Sequence, residues 1–245
     1  MIRYEPVIDG IGGIARRMLG VFSRPRRRVL FVGNSLIYRA VGSARAPDVL
    51  SDLPGAVEAL WRLRGGGPRL LVGRRTEDAA TLTEHADDRV LLRLLSSGTW
   101  DDVVLQEQSG AVFSSSPDSA RAARALADAA RAGGAAPFLL STWTADRRAD
   151  VVSAYEGLSR ACGVALIPSA RVWSRVERDR PGLALRAEDG LHASRLGTYL
   201  LACVVCESLR GPAASASARE DDWAGRESSA GPEELAYLRA AATSA

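Results

Sequence analysis

Three short stretches of this chain combine residue types that can do chemistry. Gly33-Asn34-Ser35 sets a hydroxyl directly after an apolar run, and Gln106-Glu107-Gln108-Ser109 gathers amides and a carboxylate after another. Asp189-Gly190-Leu191-His192 puts one of only two histidines three residues after an aspartate and just ahead of an apolar stretch. A hydroxyl, an imidazole with a carboxylate behind it and a set of amide donors are the parts of an acyl-transfer site. They supply a nucleophile, a base with its orienting acid, and a stabiliser for a developing oxyanion. Each part also has a plain structural use. Ser35 can be a helix N-cap and nothing more, the amides can simply close a loop, and Asp189 can cap the helix beside His192. The combination, more than any one stretch, points to chemistry.

The elements that would position these residues follow from hydrophobic patterning. Val29 to Val32 is a short apolar block bounded by arginines and by Gly33-Asn34, the mark of a strand buried on both faces. Similar runs occupy residues 69–73, 101–108, 136–143 and 163–169. Helical patterns lie between and after them, at 54–64, 79–96, 116–132, 147–161 and 195–209. Strands alternating with helices of this length predict an α/β fold, a three-layer α/β/α sandwich around a mostly parallel sheet of about five strands. In such a sheet ligands bind beyond the carboxyl ends of the strands, where Ser35 and the Gln106–Ser109 cluster fall.

Bulk composition narrows the partners. With 245 residues and 47% hydrophobic content the chain can bury one core. Net charge is only +3 and every one of the 32 basic residues is arginine, a slight excess and not the charge clustered on one face that a nucleic-acid footprint needs. Nothing approaches the roughly 18 apolar residues of a membrane span, and Arg16 and Arg17 interrupt "IGGIARRMLGVF" before it reaches signal-peptide length. The chain reads as soluble and cytoplasmic, with no nucleic-acid partner and no stable membrane association. Three segments are expected: a basic extension over 1–27, in which Ile14, Met18 and Phe22 fit a helix lying on the core, a main domain over 28–211, and a linker with a peripheral helix over 212–245. Cys162, Cys203 and Cys206 are too few and too apolar in setting for a zinc site and are expected buried and reduced.

"VLFVGNSL", "WDDVVLQEQSG" and "DGLHASRLGTYLLA" together resemble the SGNH, or GDSL-like, hydrolase superfamily, over about residues 28 to 209. The resemblance implies a flavodoxin-like fold, with Ser35 as nucleophile, His192 as base and Asp189 as its partner. It implies an oxyanion hole made by the backbone N–H of Ser35, a glycine N–H after the second strand and an asparagine after the third. Gln108 stands in the register of that asparagine, with Gln106 as the near alternative. The family's usual Gly-Asp-Ser reads Gly33-Asn34-Ser35 here. Where its glycine would fall stands Ala79, and Gly73 comes too early. His85, which closes that segment, is expected at an exposed helix position, the alternative being the pocket mouth. The implied activity is hydrolysis of small O-acyl esters, acetyl on a sugar or natural-product hydroxyl, without metal or organic cofactor. An acyltransferase using the same triad and a non-catalytic binding domain on the same fold are the alternatives. Nothing in the sequence indicates an oligomeric state.

Overall fold

The computed structural model describes residues 25–38, 50, 52–65, 67–114, 116–144, 146, 150–210 and 218–244. Five strands form one parallel sheet: β1 Arg26–Gly33, β2 Arg69–Thr76, β3 Asp102–Gln106, β4 Ala136–Leu140 and β5 Ala165–Ile167. Their order is β2-β1-β3-β4-β5. Eleven helices among the described residues complete the fold: α1 Ser35–Tyr38, α2 Leu53–Arg64, α3 Leu82–Asp87, α4 Arg89–Leu95, α5 Ala111–Ser114, α6 Ser116–Ala132, α7 Val151–Cys162, α8 Ser169–Asp179, α9 Arg195–Arg210, α10 Ala218–Ser228 and α11 Pro232–Thr243.

The alternation of side chains along β1 divides the core in two. Val29 and Phe31 pack with α2, α8, α9 and α11, whereas Leu30 and Val32 pack with α3, α4, α6 and α7. β1 pairs with β2 over its whole length and with β3 from Val29↔Asp102 to Val32↔Leu105. The sequence order reverses direction between β1 and β3, so the crevice at their carboxyl ends lies at the topological switch point. Ser35 and Gln108 leave the sheet at that place.

Several elements depart from the patterning, each for a local reason. The strand expected from Val29 begins at Arg26, inside the presumed extension, because Arg27 is anchored through a bidentate pair with Asp102 at 2.5 and 2.8 Å. Residues 1–24, with Ile14, Met18 and Phe22, lie outside the described residues, as do 211–217. The expected helix over 79–96 is two helices. Thr81 and Glu84 form a capping box that starts α3, and Asp88 ends it while accepting from Val90 N and Leu91 N to start α4. Helix α8 stands beyond the run at 163–169 and packs through Val172, Trp173 and Val176.

Residues 218–228, in the stretch expected as linker, form α10. Its anchor is polar and so left no hydrophobic period. Glu220 is fully buried and accepts from Arg64 Nε at 3.0 Å and Nη2 at 3.1 Å and from the Tyr199 hydroxyl at 2.9 Å. Removing one partner of a buried pair of this kind costs about 3–5 kcal/mol. Beside it, in α9, burial pushes the thiols of Cys203 and Cys206 up to about 12, and all three cysteines are free and buried. No helix among the described residues is long and apolar enough to cross a membrane.

Candidate active site

The nucleophile turn is built by packing. A Cβ on Gly33 would lie 2.4 Å from Gln106 Oε1, so only glycine lets β1 end against that side chain. Gln106 Oε1 accepts the N–H of Asn34 at 2.9 Å, and Asn34 Oδ1 accepts that of Leu36 at 3.2 Å. The Asn34 amide donates to Ala80 O at 3.0 Å. Ser35 thus opens α1 with its own N–H unengaged by any described residue. The carbonyl of Gly33 accepts from Glu77 N at 3.2 Å and from His85 Nε2 at 2.9 Å. His85 is therefore buried, at 5% exposure, and not at an exposed helix position. It braces the nucleophile turn from α3 because a carbonyl two residues before Ser35 needs its ring N–H.

His192 reaches this turn from the other side of the sheet. Its Nε2 lies 3.1 Å from Ser35 Oγ and its Nδ1 lies 2.6 Å from Asp189 Oδ2. A carboxylate only accepts, so Nδ1 carries the hydrogen and Nε2 is left to accept the serine proton. Asp189 Oδ1 accepts the N–H groups of Leu191 and His192, both at 2.9 Å. Burial alone would raise the Asp189 carboxyl, but the bonds from the His192 ring and from these two N–H groups outweigh it and hold the group below the usual carboxylate range.

The loop carrying this pair is pinned by residues that no local pattern revealed. Arg186 and Ala193 form an antiparallel bridge across it. Arg186 Nη1 donates to Gly190 O at 3.0 Å and to Thr144 O at 2.8 Å, while its Nε donates to Glu177 Oε1 at 2.6 Å. Trp143, after β4, donates from Nε1 to Leu191 O at 2.7 Å and stacks on Trp173 with ring centroids 3.8 Å apart. A stack of this kind adds about 0.5–1.5 kcal/mol beyond its buried area. Gly197 lets α9 approach this platform, since a Cβ there would sit 2.1 Å from Leu185 O and 2.7 Å from the Trp173 ring.

The remaining candidates flank the crevice. Ala79 has a left-handed backbone, φ +58°, a conformation that favours glycine, and its N–H has no partner among the described residues. The Tyr38 hydroxyl donates to Asp78, which ties the end of α1 to this loop. Gly73 is in the middle of β2, under the ring of Trp100, and takes no part. Gln106 is fully buried and its amide N–H donates to Glu107 O, so its side chain is held beneath Gly33-Asn34 and is not available as a donor. Gln108 is half-buried; its Oε1 accepts Ala111 N at 2.7 Å, which leaves Nε2 without a partner among the described residues. No group of three or more His, Cys, Asp or Glu that could hold a metal ion occurs among the described residues.

No protein-family model matches the chain and no curated protein does. Solved structures do. A protein from Slackia heliotrinireducens assigned to the SGNH hydrolases superposes with a TM-score of 0.58 and 26% identity, covering 75% of this chain and 99% of that one. The chain is thus similar to the SGNH, or GDSL-like, hydrolases in fold and, at this level, in sequence. A DUF4886 family protein from Bacteroides uniformis shares the fold at a TM-score of 0.62 and 17% identity, over 89% of this chain and 94% of that one. A variant of an acetyl-xylooligosaccharide esterase from Geobacillus shares it at 0.56 and 13%, over 78% and 97%. Two of the residues that differ from the usual SGNH pattern are joined: Asn34, in the place of the family's aspartate, donates to the carbonyl of Ala80, next to Ala79.

Proposed function

We propose that this protein is an SGNH-type hydrolase that cleaves small O-acyl esters, of the acetyl type, through an acyl-enzyme on Ser35. The observation that carries the reading is the continuous chain from Asp189 Oδ2 through the His192 ring to Ser35 Oγ, at 2.6 and 3.1 Å. His192 Nε2 takes the hydroxyl proton as Ser35 Oγ bonds to the acyl carbon, and the ionised Asp189 stabilises the imidazolium that forms. The tetrahedral oxyanion is held by the N–H groups of Ser35 and Ala79 and by Gln108 Nε2, none of which has a partner among the described residues. His192 then returns the proton to the leaving alkoxide. Water repeats the sequence in reverse and releases the acid.

A small acyl group on a carbohydrate or natural-product hydroxyl is the substrate class this reading favours, in line with the acetyl-xylooligosaccharide esterase among the structures of the same fold. Acetate release from an aryl acetate tests the reading, with an added sugar or alcohol acceptor present in a parallel assay. Acetate from wild type and none from His192→Ala is expected. Acyl transfer to the acceptor without free acetate would make the protein an acyltransferase, and no turnover of any acyl ester would make it a binding domain.

A further inference from the structure

We propose that Glu107 is the positioning residue of the oxyanion site. Its buried carboxylate ties the loop that carries Ala79 to the strand end that carries Gln108. The inference rests on the assignment of Ala79 and Gln108 as oxyanion donors.

Glu107 follows the last residue of β3 and is fully buried. One carboxylate oxygen, Oε1, accepts two main-chain N–H groups, from Leu82 at 3.0 Å and from Gln108 at 2.8 Å. Leu82 opens α3 three residues after Ala79, and Gln108 bears the free amide. The carbonyl of Glu107 is fixed as well: it accepts the Tyr155 hydroxyl at 2.9 Å and the Gln106 amide, whose own oxygen holds Asn34 N. Thr142 completes the chain with a 2.8 Å contact to the Tyr155 hydroxyl. All three proposed donors are therefore wired through one residue. Ser35 is reached by way of Gln106 and Asn34, Ala79 by way of Leu82, and Gln108 directly.

The other carboxylate oxygen, Oε2, is buried with no partner among the described residues. An unpartnered buried carboxylate oxygen costs stability, and an apolar side chain would avoid that cost. Packing gives no reason for an acidic side chain here, whereas holding two N–H groups from different elements at one point does. Without the acceptor those N–H groups relax independently, and a displacement of about 1 Å at a catalytic group can cost about 10²-fold in rate.

Three variants separate position from charge. Glu107→Gln keeps an acceptor oxygen at full reach and loses the charge. Glu107→Asp keeps the charge and withdraws the acceptor, and Glu107→Ala removes both. Each is assayed for kcat and KM on an aryl acetate, with active sites counted by the end-point of fluorophosphonate labelling so that misfolded protein is not scored. We expect Glu107→Gln within about tenfold of wild type, and Glu107→Asp and Glu107→Ala lowered about 10²-fold in kcat per labelled site with KM little changed. If Glu107→Ala yields no folded protein, the order of Gln above Asp decides alone. Wild-type kcat per labelled site in Glu107→Asp, or Asp equal to or better than Gln, overturns the inference. A Gln108→Ala control separates this from the reading it rests on: if that variant keeps its kcat, the donor assignment itself has failed.

Discussion

Asn34 donates its side-chain amide to the carbonyl oxygen of Ala80 at 3.0 Å, a bond that helps couple the turn that presents Ser35 to the loop that presents Ala79. An aspartate at position 34 has no hydrogen to donate, and its carboxylate would face the Ala80 carbonyl in a site only 2% exposed. Asn34→Asp is thus expected to lower stability by about 1–3 kcal/mol and to reduce kcat more than KM. Chemical denaturation and steady-state kinetics on the same preparation check both.

The left-handed backbone of Ala79 leads to an opposite expectation for a glycine there. An alanine at φ +58° bears the Cβ penalty of that region, which glycine lacks. Ala79→Gly should stabilise the protein by about 0.5–1 kcal/mol after allowing for the added freedom of the unfolded chain, with kcat preserved because the N–H stays in place. A β-branched residue, as in Ala79→Val, should lower both. A thermal midpoint that falls in Ala79→Gly would contradict this account of the loop.

The two glutamines of the third strand's end should separate by the kind of damage. Gln108→Ala removes a free amide and is expected to lower kcat by about 10²–10³ with little change in KM or stability. Gln106→Ala removes the group that holds Asn34 N and fills the space against Gly33, so its main effect should be a lower unfolding midpoint. A larger kcat loss in Gln106→Ala at unchanged stability would reverse the assignment.

For Asp189 the pH dependence has a definite sign. Its carboxyl is held below its unfolded value, so the ionised form contributes stability above the ordinary carboxylate range, and that contribution is lost as pH falls through the depressed pKa. Asp189 accordingly stays ionised through the neutral range, and its contribution to kcat/KM should be lost only as pH falls through that depressed range. Asp189→Asn should lower kcat/KM at neutral pH by up to about 10⁴-fold, though less than His192→Ala. An undiminished kcat/KM in Asp189→Asn would remove the carboxylate from this role.

What could be read from the chain and what could not divides along contact range. Val29 to Val32 announced a strand because burial on both faces leaves an uninterrupted apolar run, and the Asp189–His192 relation was legible because both partners lie within one turn of chain. His85 was misread, since the acceptor that buries it, the carbonyl of Gly33, is 52 residues away. Trp143 and Arg186 gave no signal for the same reason: their partners across the His192 loop, Leu191 and Thr144, lie 48 and 42 residues off. Gln106 and Gln108 share one side of an extended chain, and only the packing of Gly33 against the first separates them. Helix α10 was hidden because its anchor is Glu220, a charge buried against Arg64, and a hydrophobic pattern cannot register a buried charge.

The central claim is that Ser35 is the nucleophile, and the most direct measurement is the site of a fluorophosphonate adduct, located by peptide mass spectrometry in wild type and in Ser35→Ala. One adduct per chain on Ser35 is expected. In Ser35→Ala both the adduct and aryl acetate turnover should be lost, while the thermal midpoint stays nearly unchanged because the hydroxyl takes no part in the core. An adduct on another residue, or equal labelling and turnover in the two proteins, would contradict the account.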